Sequence, residues 1–258
     1  MNLFQALLLS IVEGITEFLP ISSTGHLILV SNLLKIPQTE FVKSFEIVIQ
    51  LGAILAVVAI YFRKIITNLD AKLWKNIIVA FLPSAIFGLI FYKYIKLYLI
   101  GNSTVVIWSL LIGGIVMLLF EKSHIGSGLL LSPRDISFKK YFLIGLFQIL
   151  SMIPGISRAF ATIFGGMAVG MNRKEAVEFS FLLAIPTMLG ATVLDLAKSD
   201  MSVWSAVDGR LLAIGFVGSF ITAYIVIKWL ITFVQTHNFV VFGWYRIILA
   251  LLFFVFGL

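Results

Sequence analysis

With 258 residues, 60% of them hydrophobic and only 12% charged, the chain lies far from the composition of soluble domains, in which roughly a quarter of residues are charged. Its net charge of +7 is scattered along the chain, which suits anionic lipid headgroups and argues against nucleic acid as a partner. The lack of cysteine excludes disulfides, thiolate metal sites and a cysteine nucleophile.

The chain opens with MNLFQALLLSIVEG, which has no basic start and meets glutamates instead of a small-residue cleavage site, so no removable signal peptide is expected. Residues 3 to 12 and 27 to 34 are apolar but short, and EGITEFLPISSTGH between them is too polar to face lipid. Three segments at about 44 to 62, 75 to 95 and 103 to 120 follow, each long enough to span a bilayer as a helix rising 1.5 Å per residue. Residues 141 to 153 and 159 to 171 then flank PGISR as a second short pair, and three further spans are expected at 176 to 197, 211 to 232 and 239 to 258. An arm of about ten helical residues covers roughly 15 Å, half a bilayer, so each short pair reads as a re-entrant hairpin with its polar tip near mid-membrane. The expected fold is an all-α polytopic membrane protein of six full spans plus two re-entrant hairpins, and no linker divides the single domain 1 to 258.

The two halves echo one another. Pro20 and Ser23 correspond to Pro154 and Ser157 at an offset of 134, Glu46 to Glu178 at 132, and Ser84, Ile86, Ile90 and Lys93 to Ser219, Ile221, Ile225 and Lys228 at 135. Val105 and Val106 likewise correspond to Val240 and Val241. Repeat 1 covers about 1 to 120 and repeat 2 about 139 to 258. Each holds one hairpin and three crossings, an odd number, so the second unit enters from the opposite face as an inverted-topology repeat and the hairpin tips meet. Loop charges orient it. Lys35, Lys43, Lys93, Lys96, Lys198 and Arg210 lie on the N-terminal side, against Arg63, Lys64, Lys72, Lys75, Lys122, Arg134, Lys139, Lys140, Arg173 and Lys174 on the other, which puts both termini outside the cytoplasm.

The tips carry the chemistry. Glu13 and Glu17, four apart, share one helix face, where they hold a cation or work as metal ligand and base. Unpaired, each costs roughly 2.5 to 3.5 kcal/mol at a helix centre in lipid. Ser22, Ser23, Thr24, Gly25 and His26 follow Pro20 on what reads as an irregular turn, offering hydroxyls, backbone N–H groups and an imidazole to phosphate. Hydroxyl-rich turns also merely cap helices, and a lone histidine is often structural. Arg158, the basic residue of the tips, has the planar fork that binds phosphate bidentately, or compensates the two glutamates. Ser157 and Thr162 add hydroxyls nearby. Glu46, Gln50 and Glu178, early in their spans, read as supporting groups of the site or as simple interfacial polar residues, whereas Lys93, Lys228 and Arg246 near span ends are explained by snorkelling. Gly113, Gly114, Gly165 and Gly166 read as close-packing positions.

EGITEFLPISSTGHL over Glu13 to Leu27, FEIVIQLGAILAV over 45 to 57 and PGISR over 154 to 158 closely resemble the undecaprenyl-diphosphate phosphatases of bacitracin-resistance type, and the likeness runs the length of the chain. That resemblance implies hydrolysis of undecaprenyl diphosphate to undecaprenyl phosphate at the outer face of the inner membrane, recycling a carrier lipid of cell-wall synthesis. It implies Mg2+ or Ca2+ at Glu13 and Glu17, a catalytic turn at Ser23 and His26, and a second phosphate-binding loop at Ser157, Arg158 and Thr162. Ser22, Thr24 and Gly25 are the remaining substrate-binding candidates. Ser23 is favoured as nucleophile with His26 as acid/base, while direct attack by water stays open. The expected partners are the polyprenyl diphosphate and membrane lipids, with a homodimer as one option. One departure stands out: Ala159 and Phe160 replace the usual Ser-Gly after the arginine, removing a hydroxyl and putting a ring where backbone would approach substrate. A secondary transporter or flippase built on the same inverted repeat is the alternative reading.

Overall fold

In the computed structural model the described residues are 1–66, 71–99, 102–123, 136–198 and 206–255, and their elements are all helical. Arg134, used in the loop-charge count, and the last three residues of the expected span 239 to 258 lie outside them.

Each half opens with two short helices. α1 (Leu3–Thr16) starts at a capping box between Asn2 and Gln5 and packs on α2 (Ser23–Leu33). α6 (Phe138–Ile149) packs on α7 (Arg158–Ala168) in the same way. At 11 to 14 residues these arms fall short of the roughly 20 needed to cross a bilayer. The second arms begin earlier than the sequence suggests. Ser23 to His26 form the first turn of α2 rather than an irregular turn, and Arg158 is the first residue of α7.

Five helices are long and apolar enough to span: α3 (Glu40–Ile66), α4 (Ala71–Tyr94), α5 (Ser103–Lys122), α8 (Arg173–Lys198) and α9 (Ala206–Thr236). The sixth expected span is represented by α10 (Val240–Val255), whose 16 described residues cover about 24 Å. Large apolar side chains face outward, among them Ile90, Val193 and Val255, each about two-thirds exposed or more. With five such helices this is a multi-pass membrane protein whose outer surface is solvated by lipid.

The halves exchange partners. α1 packs on α9 of the second half, and α6 packs on α4 of the first; α3 and α8 meet in the middle, as do α5 and α10. Small residues set these distances. A Cβ on Gly14 would fall 2.8 Å from the Ser219 carbonyl on α9, and one on Gly145 would fall 2.4 Å from the Ala80 carbonyl on α4. Gly114 similarly abuts the Gly243 carbonyl, so backbones approach closely where apolar burial supplies little driving force in lipid. Gly52→Ala would put a methyl 2.3 Å from the Phe216 carbonyl and is expected to lower unfolding free energy in detergent by about 1–3 kcal/mol. Gly209→Ala, with open space around it, is expected to be neutral or stabilising; equal midpoints for the two variants in thermal unfolding would contradict this account of α3 on α9.

Candidate active site

The two hairpin tips are brought together by one ion pair. Glu17, the residue closing α1, accepts Arg158 Nη2–H through Oε1 at 2.8 Å across 141 positions of sequence. Its other oxygen, Oε2, accepts the Ser23 hydroxyl at 2.5 Å. All three side chains are largely buried, at 4%, 9% and 7% exposure for Glu17, Arg158 and Ser23. Arg158 is fixed further by donating Nη1–H to the Ser180 carbonyl at 3.0 Å and by lying over the Phe18 ring. A cavity of about 70 Å³ opens onto this group. Glu17, Ser22, Ser23 and Thr24 line it from the first tip and Ser157 and Arg158 from the second, with Gln50 and Met188 on the remaining walls. It suits a small anionic group and is far below the 300–1,000 Å³ of pockets that engulf whole ligands.

The backbone leading into each second arm is unusual and matched. Ser22 (φ 72°) and Ser157 (φ 78°) both cap their helices from the left-handed side of φ space, a conformation that costs a non-glycine residue about 1–3 kcal/mol. Each serine Oγ accepts the N–H three residues on, from Gly25 at 3.3 Å and Phe160 at 3.2 Å. The first N–H groups of α2 and α7 have no partner within their own helices, so both tips present the positive ends of helix dipoles. Two glycines permit the approach. Gly25 lies 3.5 Å from the Gly155 Cα by its would-be Cβ, and Gly155 (φ 97°) leaves no room for a side chain against Val106 and Ser109.

Glu13 sits behind Glu17, fully buried. Neither of its carboxylate oxygens meets a hydrogen-bond donor, and Glu17, Glu46 and Arg158 all lie within electrostatic reach. Glu46 is tied to Ser31 Oγ at 3.1 Å and does not line the cavity; nor does the half-buried Glu178.

Three expected roles are redrawn by the geometry. His26 does not face Ser23: its Nδ1–H donates to the Ser22 carbonyl at 2.7 Å, and Nε2 faces the Tyr245 hydroxyl at 2.8 Å with the rings stacked. Thr162 is fully buried, donating to the Arg158 carbonyl at 2.8 Å and meeting Ser180 Oγ at 2.7 Å, so it braces the arginine instead of lining the cavity. Phe160 turns away from the cavity onto Phe164 and the face of the Arg246 guanidinium, so its ring does not obstruct the space beside Ser157.

Arg246 is the residue whose place the sequence concealed. It does not snorkel but is fully buried within α10, and its five N–H groups donate to five carbonyls: Pro20 and Ile156 through Nη1, Ser109 and Gly155 through Nη2, Leu110 through Nε. Its place inside the apolar run FGWYRIILALL is the one mark the sequence carries, and it does not separate a buried arginine from a snorkelling one. Ser180 and Tyr245 carry no such mark.

A family model described as bacitracin resistance protein BacA matches residues 6–252. Among curated relatives, an undecaprenyl-diphosphatase of Aquifex aeolicus is 52% identical over the full length of both chains. One from Sulfurihydrogenibium is 50% identical over 99% of each, and one from Wolinella succinogenes is 48% identical over 98% of this chain and 97% of its own.

The backbone at Ser157 is open to direct test. Ser157→Gly keeps the left-handed φ and is expected to leave stability within about 1 kcal/mol, whereas Ser157→Val is expected to cost about 2–3 kcal/mol. Equal melting temperatures for the two would contradict the strain assigned to this turn.

Proposed function

The chain belongs to the bacitracin resistance protein BacA family, and on that premise we propose that it is an undecaprenyl-diphosphatase, releasing the terminal phosphate of undecaprenyl diphosphate and leaving undecaprenyl phosphate. The observation that carries the reading is the Ser23–Glu17–Arg158 chain of hydrogen bonds at the mouth of a small buried cavity. Ser23 attacks the terminal phosphorus while Glu17, already accepting its hydroxyl, takes the proton. The bond from that phosphorus to the bridging oxygen breaks, and undecaprenyl phosphate leaves as an anion. Water then attacks the phosphoserine, its proton stays with the phosphate, and Glu17 returns the first proton to Ser23. Arg158 and the N–H groups opening α2 and α7 stabilise the charge that spreads over the phosphoryl oxygens. His26, locked between Ser22 and Tyr245, holds the turn that presents Ser23.

The donor set fits a divalent cation. Glu13 has two buried carboxylate oxygens with no donor, beside Glu17, and magnesium typically takes one or two carboxylates and completes its shell with water and substrate phosphate. Among the described residues no cluster of three or more acidic, histidine or cysteine ligands occurs, so water and substrate phosphate would fill the rest of the shell. Glu13 and Glu17 would hold the ion, Mg2+ or Ca2+, which when bound would neutralise the diphosphate.

The exchange of partners between halves supports the inverted repeat, one unit over about 1 to 120 and the other over about 139 to 258 of a single domain, with α10 as the sixth crossing. Loop charge favours both termini outside the cytoplasm, and the family reading places the site on the outer side of the inner membrane. The prenyl chain stays in lipid, since the cavity accommodates only a headgroup. A homodimer is compatible with the fold. The transporter alternative draws no support from relatives that are named as hydrolases.

Purified protein in detergent is expected to release phosphate from undecaprenyl diphosphate with magnesium and to stop with EDTA. Ser23→Ala is expected to lower kcat on the order of 10³-fold or more, and Glu13→Gln to raise the magnesium requirement by about tenfold or more. Full turnover by Ser23→Ala would remove the serine from the reaction, and metal-independent turnover would remove the cation.

A further inference from the structure

Arg246 takes no part in the mechanism just described, yet among the described residues all five of its N–H groups are engaged. Its five N–H groups each reach a backbone carbonyl, at 2.8 to 3.4 Å, and among the described residues no carboxylate pairs with it. The acceptors come from three places. Pro20 belongs to the first tip, two residues before Ser22; Gly155 and Ile156 belong to the second, directly before Ser157; Ser109 and Leu110 belong to α5. The guanidinium is therefore a plate that fastens both tips to α5 and to α10, which carries it.

Space has been made for it at a specific place. A Cβ on Gly113 would fall 2.0 Å from Nη2, so that glycine is what lets the fork reach α5. The Phe160 ring covers the plate, 5.0 Å from Cζ. Because a trans peptide directs its C=O and N–H oppositely, holding the Ile156 carbonyl on Arg246 turns the Ser157 N–H away from it. The peptide directly before Ser157 and the one before Ile21, next to Ser22, are thus clamped by one side chain that does not itself line the cavity.

We propose that Arg246 is a positioning residue for phosphoryl transfer, setting the register between the Ser23–Glu17 tip and the Arg158 tip by gathering the Pro20, Gly155 and Ile156 carbonyls onto one guanidinium. This rests on the phosphatase reading above. Lysine would keep the charge but has three donors on a single atom and cannot span acceptors that a planar fork serves together.

The experiment compares wild type, Arg246→Lys and Arg246→Ala in phosphate release from undecaprenyl diphosphate in detergent, the last with and without added guanidinium chloride at millimolar concentration. Displacing reacting groups by about 1 Å costs on the order of 10²-fold in rate. Arg246→Lys is expected to lose that factor in kcat with KM changed by less than about threefold, and guanidinium to return kcat of Arg246→Ala by about tenfold or more. The register is also read without turnover. The chain has no cysteine, so Thr24→Cys with Ser151→Cys, on two sides of the cavity, reports the gap between tips through a short bismaleimide. Cross-linking is expected to be fast with Arg246 and slower by about fivefold or more with Arg246→Lys. Wild-type kcat in Arg246→Lys, or parallel loss in kcat and KM without guanidinium rescue, or cross-linking unchanged, would overturn the proposal. A wild type that releases no phosphate would count against the phosphatase reading, leaving the cross-linking rate to judge Arg246.

Discussion

The buried contact between Glu17 and Arg158 is the constraint around which the rest of the molecule is arranged. Neither group is tolerable alone in a lipid-embedded interior, where an unpaired charge costs roughly 2.5 to 3.5 kcal/mol. Pairing reduces that cost, but replacement by apolar side chains of similar volume would usually serve stability as well or better. On the proposed reading the pair is explained by use. The glutamate's second oxygen holds the Ser23 hydroxyl, and the arginine lines the same cavity, so one ion pair orients a hydroxyl and a guanidinium towards one space.

Bringing two tips 141 positions apart in the chain to one point makes demands on the backbone. Each second arm must begin at the cavity, and this is achieved by serines at positive φ that cap α2 and α7 while lining the cavity. Gly25 and Gly155 give the clearance, and the partner exchange of α1 with α9 and α6 with α4 holds the hairpins within the bundle. The strain of the turns is compensated by the surrounding hydrogen bonds, above all those of Arg246. Non-helical backbone at this depth is admissible because it faces protein and a polar cavity rather than acyl chains.

Much of this was legible in the sequence because lipid makes polarity conspicuous. EGITEFLPISSTGH and PGISR stand out against their apolar flanks, the short arms are too short to cross, and Glu17, Ser23 and Arg158 are the residues that meet. What escaped depends on partners remote in sequence. The site of Arg246 cannot be told from a snorkelling arginine without knowing that Gly113 faces it 133 positions away. The sequence alone presents His26 as a base for Ser23 and Thr162 as a phosphate ligand, whereas Tyr245 occupies the far side of the one ring and Ser180 lies against the other hydroxyl. Phe160 looked obstructive because its neighbours in sequence line the cavity, while its own ring is drawn to Arg246.

The central claim is that two distant tips act as one site through Glu17 and Arg158, and a double-mutant cycle in kcat/KM tests it most directly. Glu17→Gln, Arg158→Gln and the double variant are compared in phosphate release from undecaprenyl diphosphate. If the pair acts as a unit, the double variant is about as slow as either single one, a coupling of about 2 kcal/mol or more. Losses that multiply, leaving no coupling between the two positions, would contradict the claim and separate the tips into independent contributors.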